Sequence, residues 1–268
     1  VSADHPAPWT ISQLRPHVRQ LGVEAGQTVL LHSSLRAVGY VCGGATTVVQ
    51  AFLDVLGGEG TLVVPAQNQD YVDPSRWPHR RISEDYWELI RAELPGFDPA
   101  LTPSVGMGVI AERVRTWPAA FRSNHPNTSF AAVGPDAHKL LDRHELTSPL
   151  GDGSPLAAME SVGALVVLLG VGFDRCTTFH LAEARLPDLP VQSFSAPMAT
   201  PEGRQRITYE AVKLNAGDFA ALGADFEHDT DSVVRGRIGG APSCLFTMES
   251  ATAYAAKWFA ANRPPVAG

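Results

Sequence analysis

The sequence predicts a single α/β domain over residues 1–268, with a mixed, largely parallel central sheet flanked by helices and a long substrate-binding excursion. Three observations carry this expectation. Short continuous apolar runs at Thr28–His32, Thr61–Pro65 and Ala164–Gly170 are of the buried-strand type. Segments with helical periodicity lie between and after them. No internal repeat, low-complexity tract or linker divides the chain, and its 44% hydrophobic composition suffices for a sizeable core.

In chain order, Ile11, Leu14, Val18 and Leu21 behind Thr10 mark an amphipathic helix that Pro16 is expected to shorten or kink. The run Thr28–His32 is a strand, and a polar loop over 33–45 leads to Thr46 as the cap of a helix over Thr47–Leu56, ended by Gly57. Thr61–Pro65 is the next strand. Two strands joined by a helix of this length form a βαβ-like unit with a parallel pair, which puts a site at the carboxyl ends of the strands, where His32 and Pro65 lie. Residues 66–104, rich in Pro, Asp, Arg and Trp, hold at most one helix near Glu84–Leu94 and read as a functional excursion. Then come a helix at Met107–Trp117, a strand at Ser129–Gly134, a helix at Asp136–His144 and the strand Ala164–Gly170. The loop Val171–Thr177 enters a helix over Thr178–Arg185. Residues 190–240 read as strand and loop with a short helix near Asp218–Leu222, and Met248–Asn262 as a closing helix.

The formal net charge of −7 argues against nucleic acid or an anionic membrane as partner and is compatible with a cationic small molecule. No apolar run is long enough to span a bilayer, and the start VSADHPAPW lacks the basic and apolar regions of a signal peptide. The three cysteines, Cys42, Cys176 and Cys244, form no CxxC pair, so a disulfide framework or structural zinc is not expected. The expectation is a soluble, cytoplasmic protein without a metal; a homodimer stays open.

The segment Gly170–Glu183 is the most informative for chemistry. A strand ends, a glycine loop turns, and Thr177 is placed to cap a helix that carries His180 and Glu183 three residues apart on one face. A carboxylate at that spacing orients an imidazole, and the helix start and the carboxylate pull its proton affinity in opposite directions. The same spacing also suits an ordinary helix histidine beside a surface carboxylate. Spacing alone leaves both open.

This segment, GVGFDRCTTFHLAE, resembles the signature of the aminoglycoside 3-N-acetyltransferase family, the antibiotic N-acetyltransferases of the YokD-like fold. Three further blocks match in order, Leu31–Gly39, Gly60–Pro65 and Arg122–Phe130, with a looser fourth at Ser148–Leu156. Together they cover roughly residues 10–185. Two positions depart from the family pattern: Phe173 replaces a common His and Cys176 a common Asn, changes expected to alter pocket shape and substrate range.

The resemblance implies transfer of the acetyl group of acetyl-CoA, as co-substrate, to an aminoglycoside amine, with His180 as general base and Glu183 as its support. It also implies that Ser33, Ser34, Leu35, Arg36, Val38 and Gly39 lie along CoA, with Ser123, Thr177 and Thr178 near it; backbone N–H groups, hydroxyls and the Arg36 guanidinium suit phosphate oxygens. His32, at a strand end, is a candidate to contact either substrate or assist proton movement, whereas His125 before Pro126 fixes a turn. A polycationic substrate calls for carboxylates and aromatic faces, and Asp70, Tyr71, Asp73, Asp152 and Glu183 are the candidates. The acidic run Asp225, Glu227, Asp229 and Asp231 around His228 reads either as a solvated face or as a substrate contact. Three rival readings are kept: an acetyl-enzyme on Cys176, a zinc hydrolase on His32, His125 and His180, which no HxxxH or CxxC spacing supports, and a non-catalytic CoA- or drug-binding protein.

Overall fold

The computed structural model describes residues 7–77 and 82–263. In chain order its elements are α1 (Ile11–Gln20), β1 (Thr28–Ser33), α2 (Leu35–Val38), α3 (Gly44–Leu56), β2 (Thr61–Pro65), α4 (Trp87–Glu93), α5 (Gly108–Arg115), β3 (Phe121–Arg122) and β4 (Phe130–Val133). There follow α6 (Ala137–Leu141), α7 (Pro155–Ser161), β5 (Leu165–Leu169), α8 (Phe179–Ala184), β6 (Val191–Thr200), β7 (Gly203–Val212), α9 (Phe219–Asp229), β8 (Val234–Ile238), β9 (Ala241–Thr247) and α10 (Met248–Asn262).

The three apolar runs become β1, β2 and β5, the middle of a seven-stranded sheet ordered β3-β4-β2-β1-β5-β9-β8. β1 pairs in parallel with both β2 and β5, while the outer strands add in antiparallel fashion. Side chains alternate between faces as the strand period requires. Val29 and Leu31 join Val49 and Phe52 of α3 and Leu14 and Val18 of α1 on one face; Leu30 and Val166 join Phe179 of α8, Phe226 of α9 and Phe259 of α10 on the other. Because both faces are covered, the middle strands are apolar throughout rather than alternating.

Several local expectations are corrected. α1 runs through Pro16, which sits on its exposed side, where water can reach the carbonyl left without an amide partner. α3 begins at Gly44 rather than Thr47, because Gly43 takes the left-handed conformation (φ 80°) and the Thr47 hydroxyl donates to the Cys42 carbonyl at 2.5 Å. α9 extends to Asp229, β9 and α7 were not anticipated, and the segment 191–212 is one long hairpin forming a separate two-stranded sheet.

That hairpin and the part of the excursion over 66–77 line the clefts of the candidate site. Short 3-10 turns at Gln69–Tyr71, Pro74–Arg76 and Glu84–Tyr86 precede α4. The excursion docks on the hairpin through Phe97, whose N–H donates to Pro197 O (2.8 Å) and whose carbonyl accepts from Ala199 N (2.9 Å).

Candidate active site

β5 ends at Leu169, Gly170 turns with φ 66°, and a 3-10 turn at Phe173–Arg175 delivers the chain to α8. Thr177 does not cap this helix. The N-cap residue is Thr178, buried and without a side-chain capping bond, and the Thr177 hydroxyl is instead 3.3 Å from His32 Nε2. One turn on, His180 Nδ1 lies 2.6 Å from Glu183 Oε2. A carboxylate only accepts, so Nδ1 carries a proton, and in the neutral ring Nε2 is the nitrogen with the lone pair. No described residue bonds Nε2, and the ring, 15% exposed, lines a cleft of about 340 Å3.

Glu183 is 1% exposed, which would be costly for an unpaired carboxylate. Its other oxygen accepts from Asn215 N (2.7 Å) and from the Arg263 guanidinium (2.6 Å). Arg263 in turn forks onto Asp218 at 2.7 and 2.8 Å, which holds the Asp218 carboxyl below its usual range, and it lies 4.0 Å over the Phe259 ring. The Phe219 ring packs against His180 at 4.6 Å between centroids. The imidazole is therefore fixed in tautomer and orientation by groups from α8, α9 and the end of α10.

The rest of this cleft comes from the 123–128 turn and the hairpin. His125 Nδ1 accepts the N–H groups of Asn127 and Thr128 (3.2 and 3.1 Å), and burial keeps the ring neutral, which accords with a turn-fixing role. Phe194 and Tyr209 stack at 5.5 Å and form a wall, with the Tyr209 hydroxyl donating to Asn127 Oδ1 at 2.6 Å.

A second cleft of about 560 Å3 opens at the carboxyl ends of β1 and β2. His32, Ser33, Ser34, Leu35, Arg36 and Thr177 line it, as does the start of α5 from Gly106 to Val109. Among the described residues no backbone carbonyl accepts from the N–H groups of Gly106, Met107, Gly108 or Val109, which leaves a row of donors at a helix start. A phosphate-bearing chain with amide groups fits this donor set. Thr177 belongs to this cleft and His180 to the first, so the 177–180 turn borders both.

Other candidates fall elsewhere. Val38 is buried in the layer with α1 and α3, Gly39 packs near Trp9, and Ser123, fully buried, bonds Phe130 N and His144 Nδ1 at 2.9 Å; none of them lines the second cleft. His32 is buried and its pKa is pushed down to about 4 by burial, so it is neutral at pH 7. Asp73 is gripped by Arg91 at two contacts of 2.8 Å, Asp152 pairs with Arg185, and Tyr71 packs on Phe97; Asp70 lies in the 3-10 turn beside it. None of these four lines the His180 cleft. In the acidic run, Asp225, Glu227 and Asp229 engage Trp258, Arg235 and Tyr254 around α9, away from the cleft.

Phe173 and Cys176 are core residues, so neither shapes a cleft: Phe173 packs against Gly223 of α9, and Cys176 is fully buried with its thiol pushed up to about 12 by burial. A buried thiol so held is a poor nucleophile, which weighs against the acetyl-enzyme reading. Among the described residues no group of three His, Cys, Asp or Glu is placed to hold a metal ion, and no helix is long and apolar enough to cross a membrane. Asn127, Phe194, Tyr209, Asp218 and Arg263 escaped the sequence reading. Alternation of Gln192 and Phe194 along a strand was the only signal for the wall, and nothing local links Arg263 to Glu183.

A model of the family described as aminoglycoside 3-N-acetyltransferase matches residues 30–260. The chain is 38% identical over 256 residues to the SPbeta prophage-derived aminoglycoside N(3')-acetyltransferase-like protein YokD of Bacillus subtilis (strain 168), covering 95% of this chain and 94% of that protein. The crystal structure of YokD superposes with a TM-score of 0.92 at 37% identity over 96% of both chains. Aminoglycoside N(3)-acetyltransferase IX of Micromonospora chalcea is 33% identical over 95% of both. The binary complex of AAC-IIIb with CoASH superposes with a TM-score of 0.86 at 28% identity over 97% of this chain and 100% of that one.

Proposed function

The chain belongs to the aminoglycoside 3-N-acetyltransferase family, and we propose that it moves the acetyl group of acetyl-CoA to the 3-amino group of the 2-deoxystreptamine ring of an aminoglycoside, and so confers resistance. The observation that carries this reading is the His180–Glu183 pair at 2.6 Å, with Nε2 open to a cleft and the donor-rich cleft across the same turn.

An antibiotic amine is mostly protonated at neutral pH, so the enzyme's task is to remove a proton and hold the nitrogen in line. His180 Nε2 takes that proton. Glu183 receives the hydrogen bond of Nδ1–H and stabilises the imidazolium as it forms. The neutral amine nitrogen bonds to the thioester carbonyl carbon as the carbon–sulfur bond breaks; of the two protons the ammonium loses on becoming an amide, His180 returns one to the leaving sulfur and the other passes to solvent. The hydroxyls of Ser33 and Ser34, the Arg36 side chain and the N–H row at 106–109 hold acetyl-CoA, which supplies the activated acetyl group. Mass spectrometry of aminoglycosides incubated with enzyme and acetyl-CoA tests the proposal. A gain of one acetyl group at the 3-amine is expected; no gain on any aminoglycoside contradicts it.

A further inference from the structure

Beside the His180 cleft, and sharing Asn127 and Phe194 with it, lies a hollow of about 220 Å3 that the acetyl-transfer chemistry does not use. Its other walls are Val72, Asp73, Ser75 and Arg76 of the excursion and Ser193 and Ser195 of β6. Two charged side chains line it, and only one is already neutralised. Asp73 accepts from Arg91 through both oxygens, and one oxygen also takes the N–H and hydroxyl of Ser75. Arg76 donates to the Ser193 carbonyl at 2.6 Å and lies 4.8 Å over the Phe194 ring, and among the described residues no carboxylate comes within 4.0 Å of it. The remaining donors of its five-donor fork have no described partner.

The arrangement bears on the charge of the acceptor. The Phe194 face that a substrate ammonium would use for a cation–π contact already holds a guanidinium. No Asp or Glu lines the His180 cleft among the described residues, and Glu183, behind it, spends both oxygens on His180, Asn215 and Arg263. A second ammonium entering the hollow would meet an uncompensated like charge, whereas a hydroxyl or acid oxygen would meet free donors.

We propose that Arg76 is a specificity-determining residue, which admits a hydroxyl or acidic group of the acceptor into this hollow and turns away an ammonium group. The inference rests on the reading of the His180 cleft as the acceptor site of an N-acetyltransferase. Its discrimination is of the repulsive kind, set by what the site rejects.

The test uses pairs of aminoglycosides that differ at one position by hydroxyl for amino, with the exchange placed at successive ring positions. Steady-state kinetics at saturating acetyl-CoA and calorimetric affinity in the presence of CoA are measured for wild type, Arg76→Ala and Arg76→Glu. In at least one pair the wild type favours the hydroxyl member by about tenfold in KM, Arg76→Ala brings the ratio near one, and Arg76→Glu reverses it, with kcat and CoA affinity little changed. Ratios that are the same in all three folded proteins for every pair overturn the proposal, as does failure of all three to bind either member. Turnover of no aminoglycoside, with affinities that still reverse in Arg76→Glu, leaves the filter standing and overturns the acetyl-transfer reading instead.

Discussion

Glu183 can stay buried because His180, the Arg263 guanidinium and a backbone N–H share its oxygens, and this makes Arg263 part of the geometry that orients His180. The His180–Glu183 pair was legible in the sequence, because three-residue spacing on a helix is local. Arg263 was not, since its contact with Glu183 spans 80 residues and depends on how α10 packs on α8. The departures at Phe173 and Cys176 misled for the same reason: their place in the motif suggested a pocket wall, while the turn before α8 aims both into the core. Removing one partner of a buried pair typically costs about 3–5 kcal/mol. Arg263→Ala should therefore lower stability by about 3 kcal/mol, somewhat less than the full range because Asn215 N–H remains, and lower kcat roughly tenfold as the imidazole loses its fixed orientation. Arg263→Lys, which keeps the charge but not the fork, should recover part of both. Urea unfolding and kcat on the three proteins check this, and a kcat unchanged in Arg263→Ala would reduce the residue to a structural one.

The elements that could be read include β1, β2 and β5, whose pattern is set by burial on both sides, the helices α1, α3, α5, α6 and α8 and the strand β4 with shifted ends, and the long helix α10, which matches the expected Met248–Asn262. β9 escaped because Pro242 near its start argues against a strand that nonetheless lies between β5 and β8. α7 had a readable start, Ser154 as cap with Pro155 at the first helical position, but its block was read only for its family resemblance. The hairpin had no such pattern, since one face of it meets the clefts rather than a core. It is held to the excursion by close backbone approach at Gly96, where a Cβ would come within 2.5 Å of Ala199 N and 2.6 Å of the Met198 carbonyl carbon. Gly96→Ala must push the excursion off the hairpin, at a cost of about 1–3 kcal/mol. Because the wall formed by Phe194 and Tyr209 belongs to that hairpin and the CoA-type cleft does not, acceptor KM should rise several-fold while acetyl-CoA KM stays the same. Equal KM values for the acceptor in wild type and a folded variant would contradict the docking role.

For the whole molecule, fold class followed from apolar runs and helical period alone, but net charge says little about a local site: the hollow beside the His180 cleft holds a paired Asp73 and an Arg76 with no carboxylate partner among the described residues. Burial also sets an acid limit on the fold. His32 and His144 are buried with pKa values pushed down to about 4 by burial, and His125 is lowered as well, first by burial and then by the neighbouring His144. Unfolded histidines titrate near 6.5, so between about pH 6.5 and 4 the unfolded chain binds protons that the native one does not, and stability falls as pH falls through this window. At pH 5 the loss is about 2 kcal/mol for each of His32 and His144 relative to pH 7.5. Urea unfolding at the two values measures it; equal or greater stability at pH 5 would contradict the buried neutral rings. If the two clefts meet at one turn so that His180 takes the acceptor's proton, acetyl transfer by His180→Ala under saturating acetyl-CoA reports on that step. A folded variant whose kcat falls roughly 10²–10⁴-fold, with both substrate affinities little changed, is the result expected of a lost general base; a kcat near that of the wild type would contradict it.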